Sequence, residues 1–318
     1  MRSQPALAMR WMLAVTALAF LLLCRCGGDS SGTGPGTTPT WEASPINKSL
    51  NAVWGSSPSN VIAVGAGGVI LQLVDGEWQN RLSGTGSTLK AVWGSSASDV
   101  YAVAELGRIT HYTGVEWHMG SLGDNYLLDV WGTSQNNVYV LGSDGWIYHY
   151  DGANWSSART PGHSAASAMW GSSANNIYTV GGGGVILHYN GTEWSIEDAD
   201  AVTHSLSAIW GSSPTDIFAV GTGQIIYHYD GNEWSAMDTG VPVYTYTAVW
   251  GSSSKDVYVV GSNGTAMHYN GKEWSQLETG TDVWLNGVWG TSADNVYIVG
   301  GDGGSPPWDG IILHFGAH

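Results

Sequence analysis

Cysteine is nearly missing from this chain of 318 residues: there are two, Cys24 and Cys26, both ahead of everything that looks folded. The remainder must therefore hold together without a disulfide, by packing alone. Cations are scarce as well. Ten Lys and Arg face 26 Asp and Glu, a net charge of −16, and after Cys26 only seven cations are left (Lys48, Arg81, Lys90, Arg108, Arg159, Lys255 and Lys272). A nucleic acid is thereby excluded as a partner, because a phosphate backbone is held by clustered cations; the acidity itself serves solubility. Long apolar runs are also lacking. The stretch from Trp11 to Leu23, 13 residues behind Arg2 and Arg10, is too short to cross a core of ~30 Å as a helix and fits the apolar region of an export signal. No part of the remaining chain carries a helical apolar period.

What is present is repetition. Tryptophan recurs at Trp54, Trp93, Trp131, Trp170, Trp210, Trp250 and Trp289, a pitch of 38 to 40 residues, each time inside a phrase close to "VWGSSxxDVYxVG". A second tryptophan follows 24 residues later in six copies: Trp78, Trp117, Trp155, Trp194, Trp234 and Trp274. Short β-branched or aromatic runs separated by Gly, Ser, Asn and Asp make four strands per copy; in the unit from Leu206 to Gly240 they read "LSAIWG", "DIFAVG", "QIIYHY" and "EWSAMD". A period near 40 with four short strands predicts an all-β, seven-bladed β-propeller of four-stranded antiparallel blades. The seventh copy stops at "GIILHFGAH", before its outer strand, while residues 40–46, "TWEASPI", match that missing strand. The N-terminal strand is thus expected to complete the last blade and leave no free sheet edge.

Three segments follow: an export signal over 1–26, a linker rich in Gly, Ser, Thr and Pro over 27–40 with a reach of about 20 Å, and the propeller over 41–318. Leu21-Leu22-Leu23-Cys24 resembles a bacterial lipobox, although Leu23 stands where a small residue is usual; Cys26 is the alternative lipidation site. Residues 41–318 resemble bacterial propellers with "WGSSPSDVYAVG…ILHYDGxxW" repeats, related to the BNR or Asp-box and photosystem II assembly-factor-like propellers. "HYDGNEW" shares the Asp-Gly turn and Trp of an Asp-box but lacks the leading Ser-x-Asp. The resemblance therefore implies fold and turn chemistry, not sialidase activity.

Spacing separates the two faces. The turns joining the first and second strands are nearly identical in every copy, from "GSSPSN" to "GTSADN", which marks a structural role. The connections between blades, and those between second and third strands, vary in length and composition. They carry the candidate ligand-binding residues Tyr126, His163, His204, Tyr244, Tyr246, Asp282 and Trp284, with Trp146 in "GSDGWIYHY" and Trp308 in the insertion "GGDGGSPPWDG". Trp284 could equally extend the core between blades. Aromatic rings among Asn, Asp and Ser suit a glycan, and the same composition suits a protein partner. If the chain is lipidated at Cys24 or Cys26, this face points away from the membrane.

Enzyme signatures are weak. His111, His149, His188, His228, His268 and His314, with Gln72 in the first copy, occupy one strand position in successive blades. They stand too far apart to converge on a metal ion and are expected to hydrogen-bond neighbouring turns. Arg81, Arg108 and Arg159 occupy unlike positions and make no carboxylate clamp; Gly181–Gly184 precedes no helix and so is no phosphate cradle. Asp198 and Asp200 are the only pair worth weighing for calcium. The sequence thus predicts a non-catalytic binding module without cofactor or metal, exported to a bacterial envelope, whose favoured ligand is a glycan or polysaccharide, with a cell-surface protein or a role as an envelope-assembly scaffold as the alternative.

Overall fold

The structure, a computed structural model, describes residues 41–163, 165–197, 199–241, 245–302 and 310–316. It contains seven antiparallel sheets of four strands, six of them in simple sequential order. Strands are called a to d from the axis outward. In blade five they are Leu206–Ser213, Asp216–Gly221, Ile225–Tyr229 and Trp234–Asp238, close to the expected runs. One difference recurs in every blade. Strand a continues through the Gly-Ser-Ser segment, and Ser213 pairs with Asp216, so only Pro214 and Thr215 turn the chain. A register shift between Gly211 and Ser213 absorbs the extra residue as a bulge.

Closure follows the expected route. Trp41–Ile46 pairs antiparallel with Gly310–Gly316, in register from Trp41 opposite Phe315 to Ile46 opposite Gly310. The sheet of blade seven therefore has its outer strand from one end of the described chain and its inner three from the other. Trp41 lies 5.3 Å from Phe315, ring to ring, and both pack against the cluster of Leu313, Tyr258 and Leu285.

Each sheet buries both faces against its neighbours, which is why strand b reads as an unbroken apolar run, for example Ile217 to Val220. A close contact joins the Trp-Gly dipeptide of one blade to that of the next in every blade. A Cβ built on Gly132 would meet Trp93 Cη2 at 2.7 Å and the Asn137 carbonyl oxygen at 2.6 Å. The same holds around the whole ring: Gly94 faces Trp54, Gly171 Trp131, Gly211 Trp170, Gly251 Trp210, Gly290 Trp250, and Gly55 faces Trp289 across the closure, with the nearest indole carbon at 2.6 or 2.7 Å. The glycine is therefore required for space, not for backbone freedom. Polar side chains at the strand-a bulge add links between blades: Asn51 Nδ2 donates to the Leu89 carbonyl (2.7 Å), Asn286 Nδ2 to that of Leu50 (2.9 Å), and the Thr247 hydroxyl to that of Leu285.

Two outcomes test this architecture. Gly132→Ala should destabilise the ring by about 3 kcal/mol, since backbone lies on one side of the new methyl and a half-buried indole, itself packed on the core, on the other; a melting point within experimental error of the wild type would refute the interlock. Trp41→Ala should cost about 2–3 kcal/mol and keep a single unfolding transition, because blade seven has no other outer strand; separate melting of one blade in calorimetry would show that closure is dispensable.

Candidate functional site

The face that carries the nearly identical a–b turns is occupied by its own hydrogen bonds. In blade two the Ser95 hydroxyl donates to Asp99 Oδ2 (2.5 Å), and Asp99 Oδ1 holds His111 Nε2 (2.7 Å). His111 in turn stacks on Tyr101 of strand b at 4.0 Å. Blade five repeats this with Ser212, Asp216 and His228, blade six with Ser252, Asp256 and His268. In blades three and four an asparagine replaces the aspartate, and Asn137 and Asn176 hold His149 (2.7 Å) and His188 (2.6 Å). The imidazoles thus bind the first residue of strand b in their own blade. Burial opposes the Asp256 carboxylate, but hydrogen bonds from His268 and Ser252 outweigh it and keep its pKa below the usual range; beside Asn137, burial lowers the pKa of His149. With the acid between the hydroxyl and the imidazole, no base faces a nucleophile, so this is a fold element and not a catalytic triad. Among the described residues no cluster of three His, Cys, Asp or Glu could hold a metal ion.

The opposite face is formed by the b–c loops and the connections between blades. Tyr126 (49 % exposed) and Trp284 (43 %) stand in solvent there, on the connections into blades three and seven. Asp282 is exposed and borders, with Glu278 and Thr281, a shallow depression on blade six. His204 is half-buried, its Nδ1 2.9 Å from the Tyr227 hydroxyl. Two expectations need correction. Tyr246 is not a loop residue: it opens strand a of blade six, where Leu50 and Leu89 stand in blades one and two, and is fully buried with its hydroxyl 3.0 Å from Thr239 Oγ1. Trp146 likewise begins strand c of blade three. It is half-buried, stacked beside Tyr148, and the Arg159 guanidinium covers its ring at 4.8 Å. His163 ends a short 3-10 turn, Pro161–His163, and its side chain lies outside the described residues, as do Tyr244, Trp308, Asp198, Cys24 and Cys26. Asp200 is exposed.

Other residues of this face escaped the sequence reading. Leu106 is 56 % exposed and adopts φ +59°, in the left-handed region where blades one, three, four and six place Gly67, Asp144, Gly183 and Asn263. A leucine pays for that conformation in strain, so here strain displays an apolar side chain. Leu82 (91 %) and Met119 add to it on blades one and two. Charge is divided on the same face: Lys48, Arg81, Lys90, Arg108 and Arg159 all lie on blades one to three or the connection into blade one, beside Glu105, Asp124 and Asp144. The loops of blades four to seven carry Glu197, Asp200, Asp238, Glu278, Asp282 and Asp302, and no Lys or Arg. Near the axis, Asp129 occupies a strand-a position that is Ala or Gly in the other six blades. Surrounded by protein, although part of its surface stays accessible, it has its pKa pushed up to about 7 by burial, against backbone hydrogen bonds from Met169 (2.8 Å) and Val130 (2.8 Å).

No family model matches this chain, and no curated protein matches it. Solved structures do. It is similar to YCF48 bound to D1 peptide (TM-score 0.71, 15 % identity, covering 87 % of this chain and 97 % of that one) and to YCF48 from Cyanidioschyzon merolae (0.68, 16 %, 87 % and 98 %). The WD40 β-propeller domain of Doa1 superposes equally well (0.70, 11 %, 88 % and 98 %). At these identities the likeness is one of fold: a seven-bladed β-propeller.

Asp129 yields a pH test. A carboxyl whose pKa rises on folding binds its proton more tightly in the folded state, so its contribution to stability grows as pH falls from about 7 toward the ordinary carboxylate range and is lost as pH rises through 7. Asp129→Ala, which restores the repeat, should raise the melting temperature at about pH 8 by more than at about pH 5; an equal shift at both would place the titration elsewhere.

Proposed function

We propose that this protein is a non-catalytic capture module that holds an extended segment of another polypeptide across its loop face, and that it is exported and anchored by lipid at Cys24. The observation carrying the first part is the contrast between faces. The a–b turn face spends its polar groups on internal pairs and, among the described residues, exposes Val115 as its single large apolar side chain, whereas the loop face leaves Leu82, Leu106, Tyr126 and Trp284 exposed between separated charges. Exposed apolar side chains rimmed by charge are how protein interfaces are built. Export and anchoring rest on residues 1–26 alone.

Support also comes from the similar YCF48 structure, which is bound to a peptide. A glycan fits less well than the aromatic content suggested. With Tyr246 in the core and Trp146 under Arg159, the exposed rings among the described candidates are Tyr126 and Trp284. They enter blades three and seven and do not share one stacking platform. The acidic loops of blades four to seven favour Lys or Arg in the bound segment, and the apolar sector of blades one to three favours large aliphatic side chains.

Panning the full chain against a displayed random-peptide library should select such sequences. Leu106→Glu and Trp284→Ala should each weaken the selected peptide by more than about tenfold without lowering the melting point, while Ser96→Ala, on the turn face, should leave binding unchanged. Selected peptides that bind all three variants like the wild type would end this reading, and a glycan array positive where panning fails would revive the other.

A further inference from the structure

The repeat is broken at the end of strand c in blade one. In blades two to six, strand c ends in a tyrosine (Tyr112, Tyr150, Tyr189, Tyr229, Tyr269) whose ring leans on the tryptophan of strand d, with centroids 5.1–5.4 Å apart and planes tilted by 32–37°. Its hydroxyl can close the following turn, as Tyr112 does on the Gly114 carbonyl (2.9 Å) and Tyr150 on that of Gly152 (3.0 Å). In blade one this residue is Leu73, and the ladder runs one pair further, to Val74 opposite Glu77, leaving Asp75-Gly76, both with positive φ, as the turn.

The tryptophan does not move into the space. Trp78 stands edge-on to Tyr297 of blade seven, 6.2 Å away at 85°. Trp155 meets Tyr101 (6.4 Å, 80°) and Trp274 meets Phe218 (6.4 Å, 80°) in the same way, each with its tyrosine in place. Tyr297 is likewise fixed, stacked on His314 at 4.2 Å with its hydroxyl on the Pro58 carbonyl (3.2 Å). What remains where the ring would be is a half-open cavity of about 290 Å³ between blades seven and one, with Leu73, Trp78, Tyr297 and Ile312 as its walls and Glu42, Ser44 and Ser59 at its mouth.

We infer that this seam cavity is a second binding pocket, shaped for a single phenolic ring. The other blades give the chemistry: a phenol resting on the Trp78 indole, its edge against Leu73 and Ile312, its hydroxyl turned to the polar rim. Apolar walls with a few polar groups at one end are the usual make-up of a small-ligand site, and the volume is ample for one ring. The ring can arrive as a free phenol or as a tyrosine side chain of another polypeptide. The pocket lies on the side of the a–b turns, away from the loop face, so it stands or falls separately from the capture of a segment there.

The test uses the full chain and 4-fluorophenol, followed by fluorine NMR. The wild type should broaden and shift the probe signal, and 4-fluorotoluene should bind about tenfold more weakly for want of the hydroxyl. Leu73→Tyr, which installs the residue of five other blades and so should fold, should abolish the effect, and Leu73→Ala should retain it. Displacement of the probe by N-acetyltyrosinamide identifies a polypeptide-borne ring, and binding without displacement identifies a free phenol. A silent wild type, an unchanged signal in Leu73→Tyr, or equal binding of 4-fluorotoluene would overturn the assignment.

Discussion

Everything in this ring depends on an indole resting on a glycine. The contact is made seven times, always from one blade to the next, and once across the closure between Trp289 and Gly55. It leaves no room for a methyl group, so it sets the distance and the rotation between successive sheets together. Seven equal steps then return the chain to its start, where the pairing of Trp41–Ile46 with Gly310–Gly316 fixes the last sheet. Without a disulfide in the propeller, ring closure and this stepwise packing are what keep neighbouring blades from sliding past one another.

The same regularity decides where function can reside. On the a–b turn side of blades two to six, the hydroxyl, carboxylate or amide, and imidazole of a blade pair with one another, and the ring of Tyr or Phe beneath them completes the stack. Those side chains cannot turn outward to a ligand without giving up these bonds, some of them charge-assisted. The loop side carries no such obligation. Its backbone groups are satisfied locally, as where Ser143 N–H meets the Tyr126 carbonyl and Thr160 N–H that of Gly145, so side chains at the loop tips are free to differ from blade to blade.

The architecture was legible because it is written seven times: pitch, strand number and the donated outer strand all follow from comparing the chain with itself. The glycine's purpose was not, since its partner lies one repeat away and only the folded ring brings the two together. Tyr246 was misplaced for a related reason. It stands in the column of Leu50, Leu89, Leu127, Leu206 and Leu285, and reading down that column would have put it in the core; an aromatic beside Tyr244 in a long connection looked instead like a loop residue. Asp129 and Leu73 were visible as departures from their columns, but sequence gives a column no direction. Whether a change enters the axis, a seam between blades or solvent is decided by the fold.

A near-perfect repeat also supplies its own controls. At Leu106 the other blades show that the backbone tolerates glycine, aspartate or asparagine in the left-handed region, so the leucine owes nothing to the turn. At Leu73 they show that tyrosine fits, so the smaller side chain is no packing requirement. At Asp129 they show that alanine or glycine suffices beside the axis. Each departure sets an exposed apolar group, a cavity or an enclosed acid where the repeat alone would give none, and none of them repairs a defect nearby. In a ring whose seven interlocks tolerate no variation, the residues that differ from their six counterparts without structural cause are where a ligand-binding role is to be sought.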